Sequence, residues 1–464
     1  MAIDSFMSKL SVSQVKLLST ASVAGLSSTA INALASDRIA ALSSGQLAVV
    51  TTDAIAGLDT AKISAFSSSA LAGLTAAQLG AITNGITNFE ESQLKALKTD
   101  IIAGLVEADL TALATADKLD ALTTTQIAVL TGDKFSTDAI IDLTSAQASK
   151  LTATQVTALT SDAAAALTSD QLDVLTTAAI AALETADVAA LFNGAGSAKL
   201  AALDAKQIAA LGSDITELDS VGGGALSATQ IGGLTTAQLG ALTSDEMAGW
   251  TGTQINAIGS KQITSLAVGE LTSAQQNLLT STQVSGLSST QIGAVTSDAF
   301  GAWSTDNLAA ISSTAIAGLT TDQAATLASA DVNALNIKAL TAMSTANLAA
   351  LTTDAIAGLG SAQIKALTTA QIVALTTDQV TALGTDQIAA LSSAQVAALE
   401  SGDIALFSTA EVAVISTAAI GAISSDDYMT LTNDQLDAIS SDQVAALKDN
   451  VNWVIAAYND STVS

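Results

Sequence analysis

A large apolar residue recurs every eight positions through the C-terminal half of the chain. The series runs from Leu271 to Leu447 through 22 consecutive octads without an insertion or deletion. A representative octad is Leu383-Gly-Thr-Asp-Gln-Ile-Ala-Ala390, and the consensus is L-[ST]-[ST]-[DA]-Q-[IV]-x-A. A short fixed period of this kind is typical of proteins that stack structural repeats along one direction.

The spacing within the octad predicts a helix. The leading apolar residue defines position 1, and the second apolar residue is at position 6, so the apolar spacing alternates between five and three residues. In a strand, an odd separation places two side chains on opposite faces, whereas residues three apart share one face of a helix. Position 2 is a hydroxyl residue in 17 of the 22 octads, and position 5 is Gln in eleven of them and Asp, Glu or Asn in six. This pair predicts a capping box at the start of each helix.

We therefore predict an all-α solenoid of very short helices, one of six or seven residues in each octad. An isolated helix of this length does not form in water, so each octad must pack on its neighbours. Position 8 is Ala or Gly in 17 of the 22 octads, which predicts close approach of neighbouring backbones. A β-solenoid is the alternative, because Thr, Ile and Val favour strands. All octads look equivalent, so the pattern gives no number of octads per turn.

The regularity of the period divides the chain into four segments. Residues 1–82 carry regular octads, residues 83–270 interrupted repeats, residues 271–447 the long regular array, and residues 448–464 a C-terminal cap and tail. Partner contacts are expected in the interrupted segment, where insertions can vary without breaking the stack.

The interruptions predict corners, loops and a hinge. Leu130 and Leu143 are thirteen residues apart, and Leu191 and Leu203 are twelve apart. The run Gly222–Gly224 predicts the most flexible backbone and a segment boundary. Terminal repeats need an atypical covering, which Trp453 and Tyr458 could supply.

The amino-acid composition excludes several classes of function. The formal net charge is −28, from 43 acidic and 15 basic residues, so there is no basic surface for nucleic acid. Cysteine and histidine are both absent, which excludes cysteine- or histidine-ligated structural zinc, thiol catalysis and imidazole-dependent triads. No run of about 18 apolar residues occurs, and a membrane-spanning helix is not expected.

Few residues are candidates for metal binding or catalysis. Asp133, Asp138 and Asp142 could hold calcium through carboxylate oxygens, although their spacing matches no calcium loop and a solvated surface is the favoured interpretation. Calcium is the one candidate cofactor. The large aromatic residues at apolar positions, Trp250, Trp303 and Tyr428, are expected in the core. No catalytic constellation is present, so we do not expect an enzyme.

An acidic, Cys-free, Ser/Thr/Ala-rich repeat chain with 3% aromatic residues resembles bacterial cell-surface proteins of the S-layer, adhesin-repeat and matrix-filament types. The stretch Leu375-Thr-Thr-Asp-Gln-Val-Thr-Ala-Leu383 is locally similar to the first helix of TAL-effector repeats, but the basic DNA-reading loop of that family is missing. The segment from Val454 to Ser464 is similar in composition to uncleaved type I secretion signals.

This resemblance implies a non-enzymatic structural protein that self-assembles into an extracellular surface layer or filament. Its expected partners are further copies of itself, with cell-surface polysaccharide as another candidate. The alternative is an adhesin-like module that binds ice or glycans through Ser/Thr ladders.

Overall fold

The computed structural model describes residues 6–83 and 85–447, and this part of the chain is built from short helices. It contains no β-strand, so the β-solenoid alternative is not supported. The longest α-helix, Glu107–Thr115, has nine residues. Within the described residues, none of the helices has both the length and the apolar character that a membrane crossing needs.

The chain divides into two compact units, Met1–Leu234 and Thr235–Ser464. The described α-helices of the first unit are Val12–Lys16, Thr20–Ala24, Ser28–Asn32, Ser36–Ile39, Ser44–Leu47, Thr52–Ala56, Thr60–Ile63, Ser68–Leu71, Ala76–Ala81, Glu91–Leu94, Thr99–Ala103, Glu107–Thr115, Thr124–Ile127, Thr137–Asp142, Ser145–Ala148, Ala153–Thr157, Ser161–Ala165, Ser169–Val174, Thr177–Ile180, Thr185–Phe192, Ala205–Ala210, Ser220–Ala225 and Ala228–Gly233. Its 3₁₀ helices are Gly85–Asn88, Leu119–Ala121, Gly132–Lys134, Gly194–Ala202 and Gly212–Glu217.

The described α-helices of the second unit are Thr236–Ala241, Ser244–Met247, Gly252–Asn256, Ser273–Gln276, Ser281–Val284, Ser289–Ala294, Ser297–Gly301, Thr305–Ala310, Thr321–Ala324, Ser329–Ala334, Ile337–Ala342, Thr345–Ala349, Thr353–Ala357, Ser361–Ala366, Thr369–Val373, Thr377–Thr381, Thr385–Ala390, Ser393–Val396, Ser401–Ile404, Thr409–Val414, Thr417–Ile420, Ser425–Tyr428, Asn433–Asp437 and Ser441–Ala446. Its 3₁₀ helices are Ile263–Ser265, Val268–Glu270 and Ile316–Gly318.

Each octad of the regular array forms one helix, as predicted, and many of these helices are shorter than the expected six or seven residues. The helix Thr377–Thr381 has five residues, and its N-cap Thr376 has an extended backbone with φ −74° and ψ 158°. The Thr376 hydroxyl accepts from the backbone N–H of Gln379 at 3.3 Å, and the side-chain oxygen of Gln379 accepts from the N–H of Thr376 at 3.0 Å. The predicted capping box is confirmed. Because positions 1 and 2 are extended, the α-helices of the regular array have four to six residues, and the 3₁₀ helix Ile316–Gly318 has three.

Three octads complete one turn of the coil within each unit. The helix Thr385–Ala390 packs against Ser361–Ala366 on one side and Thr409–Val414 on the other, each displaced by 24 residues. Positions 1 and 6, such as Leu383 and Ile388, are buried between these neighbours. The arrangement is therefore solenoid-like, with contacts between successive turns.

Small residues at position 8 allow the turns to approach closely, as the sequence predicts. A Cβ on Gly318 would overlap the carbonyl oxygen of Ser289, which lies 29 residues earlier at position 3 of the preceding turn. A Cβ on Gly358 would likewise overlap the side chain of Ser329. Glycine at these two positions is needed because even a methyl group would displace the neighbouring backbone.

Several expected loops are instead shortened helical repeats. The thirteen-residue gap from Leu130 to Leu143 contains the buried residue Phe135 and consists of a five-residue step followed by an octad. The 3₁₀ helix Gly132–Lys134 fills the short step, and the α-helix Thr137–Asp142 fills the octad. Here 3₁₀ geometry closes a turn with fewer residues.

The run Gly222–Gly224, expected to be a hinge with the most flexible backbone, is helical in the structure. The run lies inside the α-helix Ser220–Ala225, where the carboxylate of Asp219 accepts from the N–H of Gly222 at 2.7 Å. A Cβ on Gly222 would lie 3.1 Å from the carbonyl oxygen of Phe192, so the glycine permits a tight helix contact. The predicted C-terminal cap, Trp453 with Tyr458, lies outside the described residues.

Candidate functional site

The glutamine at position 5 joins each turn to the one before it. The Gln379 side chain is 2% exposed, and its oxygen is used in the capping box of its own helix. Its Nε2 group donates to the carbonyl oxygen of Leu351 at 2.7 Å and to that of Leu348 at 3.0 Å. Both carbonyls belong to residues 28 and 31 positions earlier. One side chain therefore starts its own helix and satisfies backbone groups of the preceding turn.

We call this recurring set of contacts the glutamine ladder. In each member, Nε2 donates to two carbonyl oxygens of the preceding turn that are three residues apart in sequence. Examples from both units are Gln46, Gln78, Gln126, Gln155, Gln171, Gln207, Gln283, Gln291, Gln323, Gln363, Gln371, Gln379, Gln387, Gln395 and Gln443.

Other residues at position 5 reproduce only part of the ladder contact. Asn347 reaches one carbonyl oxygen, that of Leu319, with Nδ2 at 2.7 Å, because its side chain is one methylene shorter. Lys62 donates through Nζ to the carbonyl oxygen of Leu34, also 28 residues earlier. The carboxylate of Asp331 accepts from the N–H of Ala328 at 2.9 Å and so serves the cap alone. A full contact requires both the length and the amide of glutamine.

Breaking a contact of the glutamine ladder should destabilise the folded protein. A net hydrogen bond contributes about 0.5–1.5 kcal/mol, and a buried group left without a partner costs about 1–3 kcal/mol. Repetition over many turns makes these bonds a recurrent polar feature of a largely apolar core, interrupted wherever position 5 is not glutamine. The sequence predicted the capping half of the ladder and missed the half that crosses between turns.

A second buried glutamine, Gln276, replaces the usual apolar residue at position 6. Its Nε2 donates to the carbonyl oxygens of Val268 and Leu271, and its side-chain oxygen accepts from the N–H of Thr296 at 2.9 Å. It lies directly after the short step between Leu266 and Leu271. The sequence did contain a signal for this site, because Gln276 is the one polar residue at position 6 of the regular array apart from the phenol of Tyr428.

The large aromatic residues lie in the core, as predicted. Trp250 and Trp303 are each 4% exposed, and the indole N–H of Trp303 donates to the carbonyl oxygen of Gln276 at 3.2 Å. Tyr428 is fully buried and donates its hydroxyl to the carbonyl oxygen of Ile420 at 2.8 Å. Burial, reinforced by the neighbouring Asp427 carboxylate, raises the pKa of the Tyr428 hydroxyl above its usual range.

The calcium candidates lie on two adjacent helices. Asp133 is in the 3₁₀ helix Gly132–Lys134, whereas Asp138 and Asp142 are in the α-helix Thr137–Asp142 and line one open groove. Among the described residues, no group of three or more His, Cys, Asp or Glu side chains is arranged to hold a metal ion. The three aspartates therefore do not form such a group.

Asp142 is nevertheless electrostatically perturbed. Partial burial raises the pKa of its carboxyl, and the nearby Asp117 and Asp120 carboxylates raise it further. This accumulation of like charge favours protonation.

An open groove lies along the helix Glu107–Thr115. Its volume is about 660 Å³, and it is lined by small residues, hydroxyl residues and one carboxylate: Thr87, Glu107, Ala108, Thr111, Ala112, Thr115 and Ala116. Among these lining residues there is one acidic side chain, Glu107, and no basic side chain that could act with it in acid–base catalysis.

Comparison with known families identifies the repeat type in part of the chain. Residues 337–377, 356–393 and 396–433 match the model of the ALTTAQ repeat. All three stretches lie within the regular array, and the chain contains the motif itself as Ala366-Leu-Thr-Thr-Ala-Gln371. In this motif Leu367 is a buried position 1, Thr368 is the N-cap and Gln371 is a ladder residue.

No curated protein matches the chain. The family matches cover less than half of it, and they show a repeat protein that is similar, over these C-terminal residues, to the ALTTAQ repeat.

Proposed function

We propose that this chain is a non-enzymatic structural protein, an α-solenoid that self-assembles into an extracellular surface layer or filament. The glutamine ladder is the observation that supports this proposal most directly. Each turn offers amide donors toward the preceding turn and carbonyl acceptors toward the following one, as Gln379 and Leu351 illustrate. Repeats with this property can be added without changing the contact between them.

The net charge supports an assembly that depends on ionic strength. At a net charge of −28, separate molecules repel each other at low ionic strength. Salt or divalent cations screen that repulsion and should permit association. Calcium could therefore act on assembly through screening, without a built site.

Assembly can be tested directly with purified full-length protein. Sedimentation velocity and negative-stain electron microscopy would be carried out over a range of protein concentrations, with and without calcium. We expect particles that grow with concentration into lattices or filaments. A protein that stays monomeric throughout would contradict the proposal.

A binding module is the second candidate, and exposed hydroxyl groups favour it. Thr321, Thr345 and Thr369 occupy position 3 of octads that are 24 residues, or one turn, apart and are exposed, whereas the position 2 hydroxyls of the same octads are used in caps. A regular set of hydroxyls could bind ice or glycans. Unchanged ice-crystal shape together with no retention on glycan arrays would count against this candidate.

The extracellular location is part of the same proposal. Export by a type I system is suggested by the composition from Val454 to Ser464. Fractionation of producing cells should find the protein in the medium or on the cell surface, and deletion of these eleven residues should retain it inside. Unaltered export after the deletion would exclude this route.

A further inference from the structure

The outer face of the helix Glu107–Thr115 is exposed along its length. Leu110 and Leu113 of this helix are buried in the core, whereas Ala108 and Ala112 are exposed on the opposite side and line the open groove of about 660 Å³. The helix has nine residues and is about 13 Å long at 1.5 Å per residue. Alanines spaced by four residues leave a trough along a helix, into which the side-chain ridge of a second helix fits.

Exposed aliphatic side chains lie at both ends of this trough. Val106, the N-cap of the helix, is 56% exposed. Ile141 is 54% exposed, and together with Thr115 it lines a second open groove of about 280 Å³ at the C-terminal end of the helix. Ile141 is at position 7 of the octad that begins at Phe135, where the octads of the regular array carry mainly small or polar residues. Exposed aliphatic side chains beside a trough of small ones form a surface that a partner can cover.

Negative charge is concentrated at the C-terminal end of the same helix. Partial burial raises the pKa of the Asp142 carboxyl, and the neighbouring carboxylates of the exposed residues Asp117 and Asp120 raise it further. The Oδ2 atom of Asp142 is buried and has no hydrogen-bond partner within the described residues. The end of the helix adds a partial negative charge of its own. A positively charged group is therefore favoured at this end of the trough.

Two lysines that are close in sequence to these aspartates are bound to backbone carbonyl oxygens. Lys118 donates through Nζ to the carbonyl oxygens of Thr87 at 2.9 Å and Phe89 at 3.0 Å. Lys134 donates through Nζ to the carbonyl oxygen of Ala103 at 2.7 Å. No group of acidic side chains among the described residues is arranged to hold a metal ion. The complement of this charge is therefore a cationic side chain of a partner.

We propose that the outer face of the helix Glu107–Thr115 binds a basic amphipathic helix of another protein. The docking face consists of Ala108, Ala112, Thr115, Ile141 and Asp120. Apolar side chains of the partner fill the trough and cover Ile141, while a lysine or arginine of the partner reaches Asp120.

The charge of this chain argues against a second copy as the occupant. The net charge is −28, and the regular array carries only two basic residues, Lys338 and Lys365. A second copy is therefore repelled from this acidic face, whereas a basic partner is attracted to it. The inference adds a partner of a different kind and is independent of the proposed self-assembly.

A synthetic peptide can test the docking face on the full-length protein. The probe is an amphipathic helix of about 18 residues, or five turns, with leucine on one face, lysine on the other and one photoreactive phenylalanine. We expect its cross-links, mapped by mass spectrometry, to fall within residues 106–120 and 138–142. Because a basic peptide is attracted to any acidic protein, cross-links spread over the whole chain would overturn the proposal. Absence of binding would overturn it as well.

A matched pair of substitutions tests the apolar contact. Ile141→Ser should weaken binding of the probe by about tenfold, because the partner loses an aliphatic contact. Val373→Ser is the control, since Val373 is also exposed and occupies the same position of a regular octad, and it should leave the affinity unchanged. Equal affinities of the two variants would contradict the docking face.

The contribution of charge is tested at constant net charge. The double variant Asp117→Asn with Asp120→Asn should bind the probe less tightly than the double variant Asp354→Asn with Asp378→Asn. The second pair removes the same charge from exposed positions of the regular array. If both double variants bind equally, the affinity depends on net charge alone and the proposed site is wrong.

Other occupants of the face give different results. Ala112→Cys introduces the sole cysteine, and its labelling rate with a maleimide dye should match that of Ala346→Cys, at an exposed alanine of the regular array. A much lower rate at Ala112→Cys would show that the chain covers its own face and would overturn the proposal. Self-association that is lost in Ile141→Ser would assign the face to a second copy, which would overturn this proposal and leave self-assembly intact.

Discussion

The side-chain amide of Gln379 lies 2.7 Å from the carbonyl oxygen of Leu351, 28 residues earlier in the chain. The same glutamine holds the N-cap of its own helix through Thr376. A glutamine at position 5 therefore both caps its own helix and bonds to the preceding turn.

The substitution Gln379→Ala should destabilise the protein by about 2–3 kcal/mol, because the carbonyl oxygens of Leu351 and Leu348 lose the side-chain amide donor and the cap loses its second bond. Urea unfolding followed by circular dichroism measures the change. Thr377→Ala, at an exposed position of the same helix, is the matched control and should change stability by less than about 0.5 kcal/mol. Equal stability of the two variants would mean that the ladder contributes nothing net.

The shorter amide of Gln379→Asn should cost less than Gln379→Ala. Asn347 shows that asparagine at position 5 reaches one carbonyl oxygen, that of Leu319. We expect about half of the loss seen for alanine, measured in the same urea experiment. An asparagine variant that is less stable than the alanine variant would contradict this geometry.

The close approach at position 8 predicts a large effect of a single methyl group. Gly358→Ala would overlap Ser329 of the preceding turn and should cost about 1–3 kcal/mol through overpacking. Gly402→Ala is the control, because a Cβ there meets nothing within 4 Å. That substitution should stabilise its helix by about 0.5–1 kcal/mol, and thermal unfolding of both variants should show shifts of opposite sign.

The buried Tyr428 predicts a loss of stability in alkali. Burial raises the pKa of its hydroxyl in the folded state, so its contribution is fully present below the unfolded-state pKa of about 10 and is lost as pH rises beyond it. Unfolding measured between about pH 8 and pH 11 should show this decline. Tyr428→Phe should be less stable by about 1 kcal/mol at neutral pH, because it lacks the bond to Ile420, and should decline less steeply above pH 10. Parallel pH profiles for the two proteins would refute this role.

The capped helix of each octad was predictable because its causes lie within eight residues. The hydroxyl of Thr376 and the amide of Gln379 are three residues apart, which is the spacing of a capping box, and Leu375 and Val380 are the two buried apolar residues. The positions of Trp250, Trp303 and Tyr428 in the core followed from the same register.

The interruptions were predicted poorly because they depend on neighbours that are distant in sequence. The pattern indicated a hinge at Gly222–Gly224, but contact with Phe192 and the cap from Asp219 make this run helical. Likewise, the thirteen-residue gap after Leu130 concealed a complete repeat, because Phe135, which leads that repeat, lies only five residues after Leu130 and so departs from the period of the preceding octads.

By itself the sequence determined the repeat, its helix, its cap and its buried positions, since these depend on local geometry and on the alternation of apolar and polar residues. Only the tertiary structure decided that three octads make a turn. Each octad has the same apolar positions, so a period of eight carries no mark of the 24-residue spacing that brings Gln379 to Leu351. That spacing is set by the packing of helices from successive turns, and it gives the position 5 glutamine its second role.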